Sequence, residues 1–155
     1  MQLAKLRIGT ASVAGLAIAG ALALAPAANA VTPDSATVSF NCGFFGSGTA
    51  TITAAQNGTA ATFALTTSAI TSPVDVAADS VSSTLTMTAN GSGTETFTGS
   101  SNPAITAGQP ISTGPLTGAV NAGDSLEGKS LNVVVFGISV TCTATSAQSP
   151  GPFQF

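Results

Sequence analysis

The 155-residue chain contains no histidine, no tyrosine and no tryptophan. The Ser-His-Asp and Cys-His arrangements of nucleophilic catalysis are therefore missing, together with the commonest general base. A serine or threonine nucleophile would have to rely on Lys129, which lies in Glu127-Gly128-Lys129-Ser130 and reads as a solvated lysine on an exposed turn. Two carboxylate pairs are candidates for acid–base work on a glycosidic bond, Asp75 with Asp79 and Asp124 with Glu127. Each pair neighbours Gly, Ser or Pro, where aspartate commonly satisfies the backbone of its own turn. Phenylalanine alone is available to stack on a sugar. Asp124 and Glu127 are also candidate Ca²⁺ ligands, but no D-x-D-x-D-G loop occurs and the ion wants six or more oxygens; a turn or helical cap is the expected role. The Gly-rich run Cys42-Gly43-Phe44-Phe45-Gly46-Ser47-Gly48 lacks the lysine of a phosphate-binding loop. The residues point away from an enzyme, and no catalytic residue, metal or cofactor is expected.

Cysteine chemistry narrows to one option. Cys42 and Cys142 are the two cysteines of the chain. Their spacing is neither the C-x-x-C of a redox site nor part of a zinc ligand set. In an exported protein an even count implies a disulfide. This one would close a loop of about 100 residues, which the chain-entropy account values at roughly 4–5 kcal/mol.

Export is itself read from the first 30 residues. Lys5 and Arg7 form a basic start, Ile8 to Leu24 is an apolar stretch, and Ala25-Pro26-Ala27-Ala28-Asn29-Ala30 supplies small residues of the A-x-A type. This is the pattern of a cleavable secretory signal, with the cut expected between Ala30 and Val31. A retained span needs about 20 predominantly apolar residues, and Thr10, Ser12 and several glycines interrupt this stretch. Residues 31–155 then form one domain, carrying Lys129 alone against Asp34, Asp75, Asp79, Glu95, Asp124 and Glu127. One lysine cannot neutralise a run of phosphates, so nucleic acid is excluded as a partner, and adsorption to anionic lipid is disfavoured for the same reason. No further long apolar run is present, so no membrane span is expected in the mature chain. The expected location is the medium or the cell-envelope surface.

After residue 30 the apolar residues recur with period two. Thr37–Cys42, Thr49–Ala54, Thr62–Thr66, Val81–Ala89, Thr94–Thr98 and Leu116–Val120 all alternate, mostly with Thr on the polar face. Asn57-Gly58 and Asn90-Gly91-Ser92-Gly93 supply turn chemistry between them. Both sites match the glycosylation sequon, which their turn role explains without a glycan. Residues 99–115 hold Pro103, Pro110 and Pro115 and read as a long crossing loop. Leu131 to Thr143 reads as one closing strand with Val134, Phe136, Ile138, Val140 and Cys142 on one face and a bulge at Gly137. About seven short strands with turn signals between them predict an all-β, antiparallel sandwich, with Cys42 and Cys142 both on inward faces.

The strand Val38-Ser39-Phe40-Asn41-Cys42, the Thr/Ser-rich alternation, the Pro-rich crossing loop and the closing Val140-Thr141-Cys142-Thr143 resemble small exported immunoglobulin-like sandwich proteins of high-GC Gram-positive bacteria. The chain departs from the immunoglobulin pattern in lacking Trp and in placing its cysteines near the two ends of the domain. The resemblance implies an immunoglobulin-like β-sandwich with an extracellular role and carries over no functional residue.

The expected function is a non-enzymatic secreted or envelope-associated domain acting through surface contacts with an extracellular protein or cell-surface component. Candidate contacts are Phe44 and Phe45 after the first strand and Phe153 and Phe155 in the tail Ser149–Phe155. The tail has two readings, packing against the domain or strand addition to a partner. The alternative function is a module that binds a small ligand or a polysaccharide, for which an apolar pocket lined by Phe44, Phe45 or Phe136 would be the sign. A carboxylate-pair hydrolase stands third and would need the acids to converge on a deep cleft.

Overall fold

The computed structural model describes residues 30–155. The expected signal over 1–30 lies outside the described residues, apart from Ala30. Nine strands follow in order: β1 (Ser35–Asn41), β2 (Ser47–Asn57), β3 (Ala60–Thr71), β4 (Ser82–Ala89), β5 (Gly93–Gly99), β6 (Pro110–Ala119), β7 (Ser125–Val135), β8 (Ile138–Ala144) and a short β9 (Phe153–Gln154). All ladders between them are antiparallel. The neighbour order is β4-β5-β6-β3-β2-β1-β8-β7, and β7 pairs back onto β4.

The expected all-β chain and its disulfide are present, but the open sandwich of about seven strands is corrected to a closed eight-stranded barrel. The two architectures share the same alternating strands, so local pattern does not separate them. The difference lies in two thin seams. A single residue pair, Thr98↔Thr117, joins β5 to β6, and two pairs, Phe40↔Ala144 and Asn41↔Thr143, join β1 to β8. At the first seam the backbones approach closely: a Cβ on Gly118 would lie 2.6 Å from Phe97 Cδ1. At the second seam Cys42 and Cys142 are bonded, with Cα atoms 4.0 Å apart. The tail completes that seam, since Thr37 and Ser149 exchange backbone hydrogen bonds of 2.7 and 2.8 Å.

Three further differences follow from turn chemistry. The apolar run Leu131–Thr143 is two strands, because Phe136 and Gly137 both take positive φ (52° and 75°) and reverse the chain. The two-residue reversal puts Leu131, Val133 and Val135 opposite Cys142, Val140 and Ile138 on one face, and Val134 opposite Ser139. Gly137 is thus a hairpin residue rather than a bulge. The bulge of this region lies at Lys129, between the pairs Thr86↔Ser130 and Met87↔Gly128. Lys129 therefore sits within β7, with its side chain exposed as expected, and not on a turn. Finally, residues 110–115 of the expected crossing loop belong to β6, where Pro110 stands at the first position, which needs no ladder donor.

Inward residues are mostly apolar, with Ser83 and Thr113 as exceptions, and outward ones are mostly hydroxyls. In β4, Leu85 and Met87 are buried while Thr84, Thr86 and Thr88 face out. A lipid-embedded barrel has the opposite distribution, apolar outside and polar within. No helix of the described residues is long and apolar enough to cross a membrane.

The closed end is filled by aromatics. The Phe63 ring lies 4.6, 5.5 and 6.1 Å from those of Phe97, Phe153 and Phe155, each edge-on, the preferred geometry for such pairs. Phe153 arrives through β9, which pairs with β7 at Leu126↔Phe153. Val31 is buried in the main core that includes these rings.

Because the disulfide spans a separation of 100 residues and reinforces a two-pair seam, reduction is expected to lower the unfolding free energy by roughly 4–5 kcal/mol. Urea titrations of oxidised and reduced protein measure this; equal midpoints would show that the β1–β8 ladder and tail suffice.

Candidate functional site

Alternate connections gather at opposite ends of the barrel. The 3-10 turn Gly43–Phe45, the long connections 72–81 and 100–109, and the Phe136-Gly137 hairpin all lie at the end away from the Phe63 cluster. Residues 72–81 cross this end as a strap from β3 to β4, which are not neighbours in the sheet. The strap is fastened to 100–109 by reciprocal backbone bonds between Val76 and Ile105 (2.8 and 2.9 Å) and by Gly108 donating to the Ser72 carbonyl (2.7 Å). Asn102, buried between them, is fully used. Its Oδ1 accepts from the Ser80 and Val81 amides (both 2.9 Å), and its Nδ2 donates to the carbonyls of Ala77 (2.9 Å) and Pro103 (2.7 Å). Val76, Val81 and Ile105 then pack on Val133 and Val135 of β7 as a second small core.

Beneath the strap the barrel is not filled. A cavity of about 520 Å³ runs between Phe40, Ile52, Leu65, Leu85, Val133 and Val140, within the size range of small-molecule sites. Its border carries no carboxylate, amide or imidazole; the polar side chains there are Ser and Thr hydroxyls and Lys129. Three of these hydroxyls are already engaged: Thr113 shares a 2.7 Å bond with Ser83 behind it, Ser72 Oγ donates to the Val74 carbonyl (2.6 Å) and Thr67 Oγ1 to the Thr49 carbonyl (2.8 Å). The rim is apolar and exposed, formed by Phe45, Val74, Phe136 and Ile138.

The four phenylalanines proposed from sequence fall in two places. Phe45 lies on the cavity border, and its neighbour Phe44, 6.0 Å away ring to ring, is fully exposed outside it. Phe153 has no exposed surface and Phe155 is half-buried beside Phe63, so the tail takes the packed of its two readings. Its strand partner is β7 of the same chain. The disulfide is on the cavity wall.

The carboxylates do not converge on the cavity. Asp75 Oδ1 accepts from the Ala107 amide (2.8 Å) and Asp79 Oδ1 from the Ser101 hydroxyl (2.9 Å), both on the strap. Glu127 Oε1 accepts from the Gln148 amide (3.0 Å), tying the tail to β7. Asp124 closes the turn after β6 at the other end. The Asn121 backbone amide (2.7 Å), and then the Asn90 side chain (3.2 Å), hold its carboxyl below the usual value. A depressed carboxylate stabilises above its unfolded pKa and loses that contribution as pH falls through its folded pKa. Among the described residues, no group of three or more His, Cys, Asp or Glu gathers as a metal site would require. Compared with models of protein families, with curated proteins and with solved structures, the chain matches none of them.

Phe136 is the rim residue that stability does not explain. It is 65% exposed and holds φ 52°, a conformation that costs a non-glycine side chain on the order of 1–2 kcal/mol. Asn-Gly is the usual sequence for two positive φ values in a hairpin. Phe136→Asn is expected to raise the unfolding free energy by about 1 kcal/mol, read from the urea midpoint. A loss of stability instead would mean that the exposed ring packs on the barrel.

Proposed function

We propose that the mature domain is a non-enzymatic binding module, acting outside the cytoplasm, that takes a small apolar molecule into the open half of its barrel. The apolar cavity of about 520 Å³ carries this reading. The space opens at an exposed apolar rim, so its aliphatic wall is left facing solvent and not packed side chains. Water suits it poorly, because a buried water wants two to four polar partners and several of the bordering hydroxyls are already bonded within the protein. A ligand of matching polarity covers that wall. Each buried methylene contributes about 0.8 kcal/mol, so eight supply roughly 6 kcal/mol before the cost of immobilisation. Phe136, held at a conformational cost beside the opening, fits the same purpose.

The absence of histidine from the sequence and the separate engagement of Asp75, Asp79, Asp124 and Glu127 support a role without catalysis. The basic, apolar and A-x-A pattern of residues 1–30 and the disulfide support export. A polysaccharide is the weaker ligand, since its hydroxyls would meet an aliphatic wall. Contact with an extracellular protein or cell-surface component is a second reading, favoured by the fully exposed Phe44 beside Phe45.

Titration with the uncharged fluorophore N-phenyl-1-naphthylamine tests the first reading. One-site saturation with a blue-shifted emission is expected. Val133→Phe, which grows into the space, is expected to weaken binding at least ten-fold while the domain stays folded. Signal that does not saturate, or that Val133→Phe leaves untouched, would contradict it.

A further inference from the structure

We infer that the ligand is an aliphatic chain with an uncharged head, inserted tail first, and that the site rejects the corresponding carboxylate. This rests on reading the cavity as the binding site and adds the chemistry that selects its occupant. The wall is aliphatic for most of its extent, with Val38, Ile52, Leu65, Leu85, Val133 and Val140 around it. It lacks the aimed donors and acceptors that would orient a rigid polar ring system. Ile52 and Leu85 are almost wholly buried, whereas Phe45, Val74, Phe136 and Ile138 are exposed. The apolar part of an amphiphile therefore lies inward and its head stays at the rim.

The charge at that rim is one-sided. The segments forming it, 42–46, 72–81, 100–109 and 136–137, contain Asp75 and Asp79 and no Lys or Arg. The sole cation of residues 31–155 is Lys129. It borders the deep part of the cavity and not its rim: it stands six positions before Val135 along β7, about 20 Å from the hairpin at the usual rise per residue. An anionic head at the rim would thus lose hydration without gaining an ion pair, which is the unfavourable case for a charge. An alcohol or ester head forfeits far less.

Displacement of bound N-phenyl-1-naphthylamine by 1-dodecanol and by dodecanoate at pH 8, below the concentrations at which either aggregates, separates the possibilities. Dodecanol is expected to displace the probe at a concentration at least ten-fold lower. Val74→Lys, which adds a cation at an exposed rim position, is expected to improve dodecanoate relative to dodecanol several-fold. Dodecanoate displacing as well as or better than dodecanol would overturn the inference, and loss of that binding in Lys129→Ala would show that Lys129 reaches the head after all. A probe that binds but yields to neither compound would overturn it too, while leaving the cavity as a binding site. A probe that never binds would instead remove the reading on which the inference rests.

Discussion

An eight-stranded barrel encloses about as much space as its inward side chains can fill, or slightly more, and this chain distributes its volume unevenly. Phe63, Phe97, Phe153 and Phe155 occupy one half. The other half is walled by Val, Ile, Leu and Ala with few large rings. The tail makes the asymmetry possible: β9 carries Phe153 back into the closed end, so that end is packed from within the chain. Everything proposed about function depends on this imbalance, since a barrel filled evenly by the same residues would have no opening.

Keeping half a barrel unfilled requires its wall to be held by other means. The β1–β8 seam is hydrogen-bonded over two pairs only, and it borders the cavity. The disulfide crosses it there. Opposite, the strap 72–81 is secured by Asn102, by the Val76–Ile105 bridge and by the small core that Val76, Val81 and Ile105 form with Val133 and Val135. Polar bonds, one covalent link and this small satellite core thus supply the order that a filled interior supplies elsewhere.

Much of the secondary structure was legible in the sequence, because period-two alternation with outward Thr survives in β1, β2 and β4. The pairing of Cys42 with Cys142 was legible too, since no other partner exists. Closure was not. It depends on β4–β7 and β5–β6 contacts between segments whose local pattern is the same in a sandwich. The Phe136-Gly137 reversal was hidden because Phe is not a turn residue. The signal that could have exposed it is length: the run Leu131–Thr143 is more than twice the usual strand of about 5–6 residues, and Gly137 lies near its middle. The cavity had no signal of its own, because it is a difference between the volume enclosed and the volume filled. Phe45 and Phe136 were legible as candidates for lining a pocket, but not that they would meet on one rim.

Intermolecular nuclear Overhauser effects between the terminal methyl of 1-dodecanol and the protein's own methyl groups would test the central claim most directly. The account predicts contacts from the chain end to Ile52 and Leu85 at the floor of the cavity, with the carbons next to the hydroxyl close to Val74 and Ile138. Contacts confined to residues outside the opening, or spread without preference over the outer Thr faces, would contradict it.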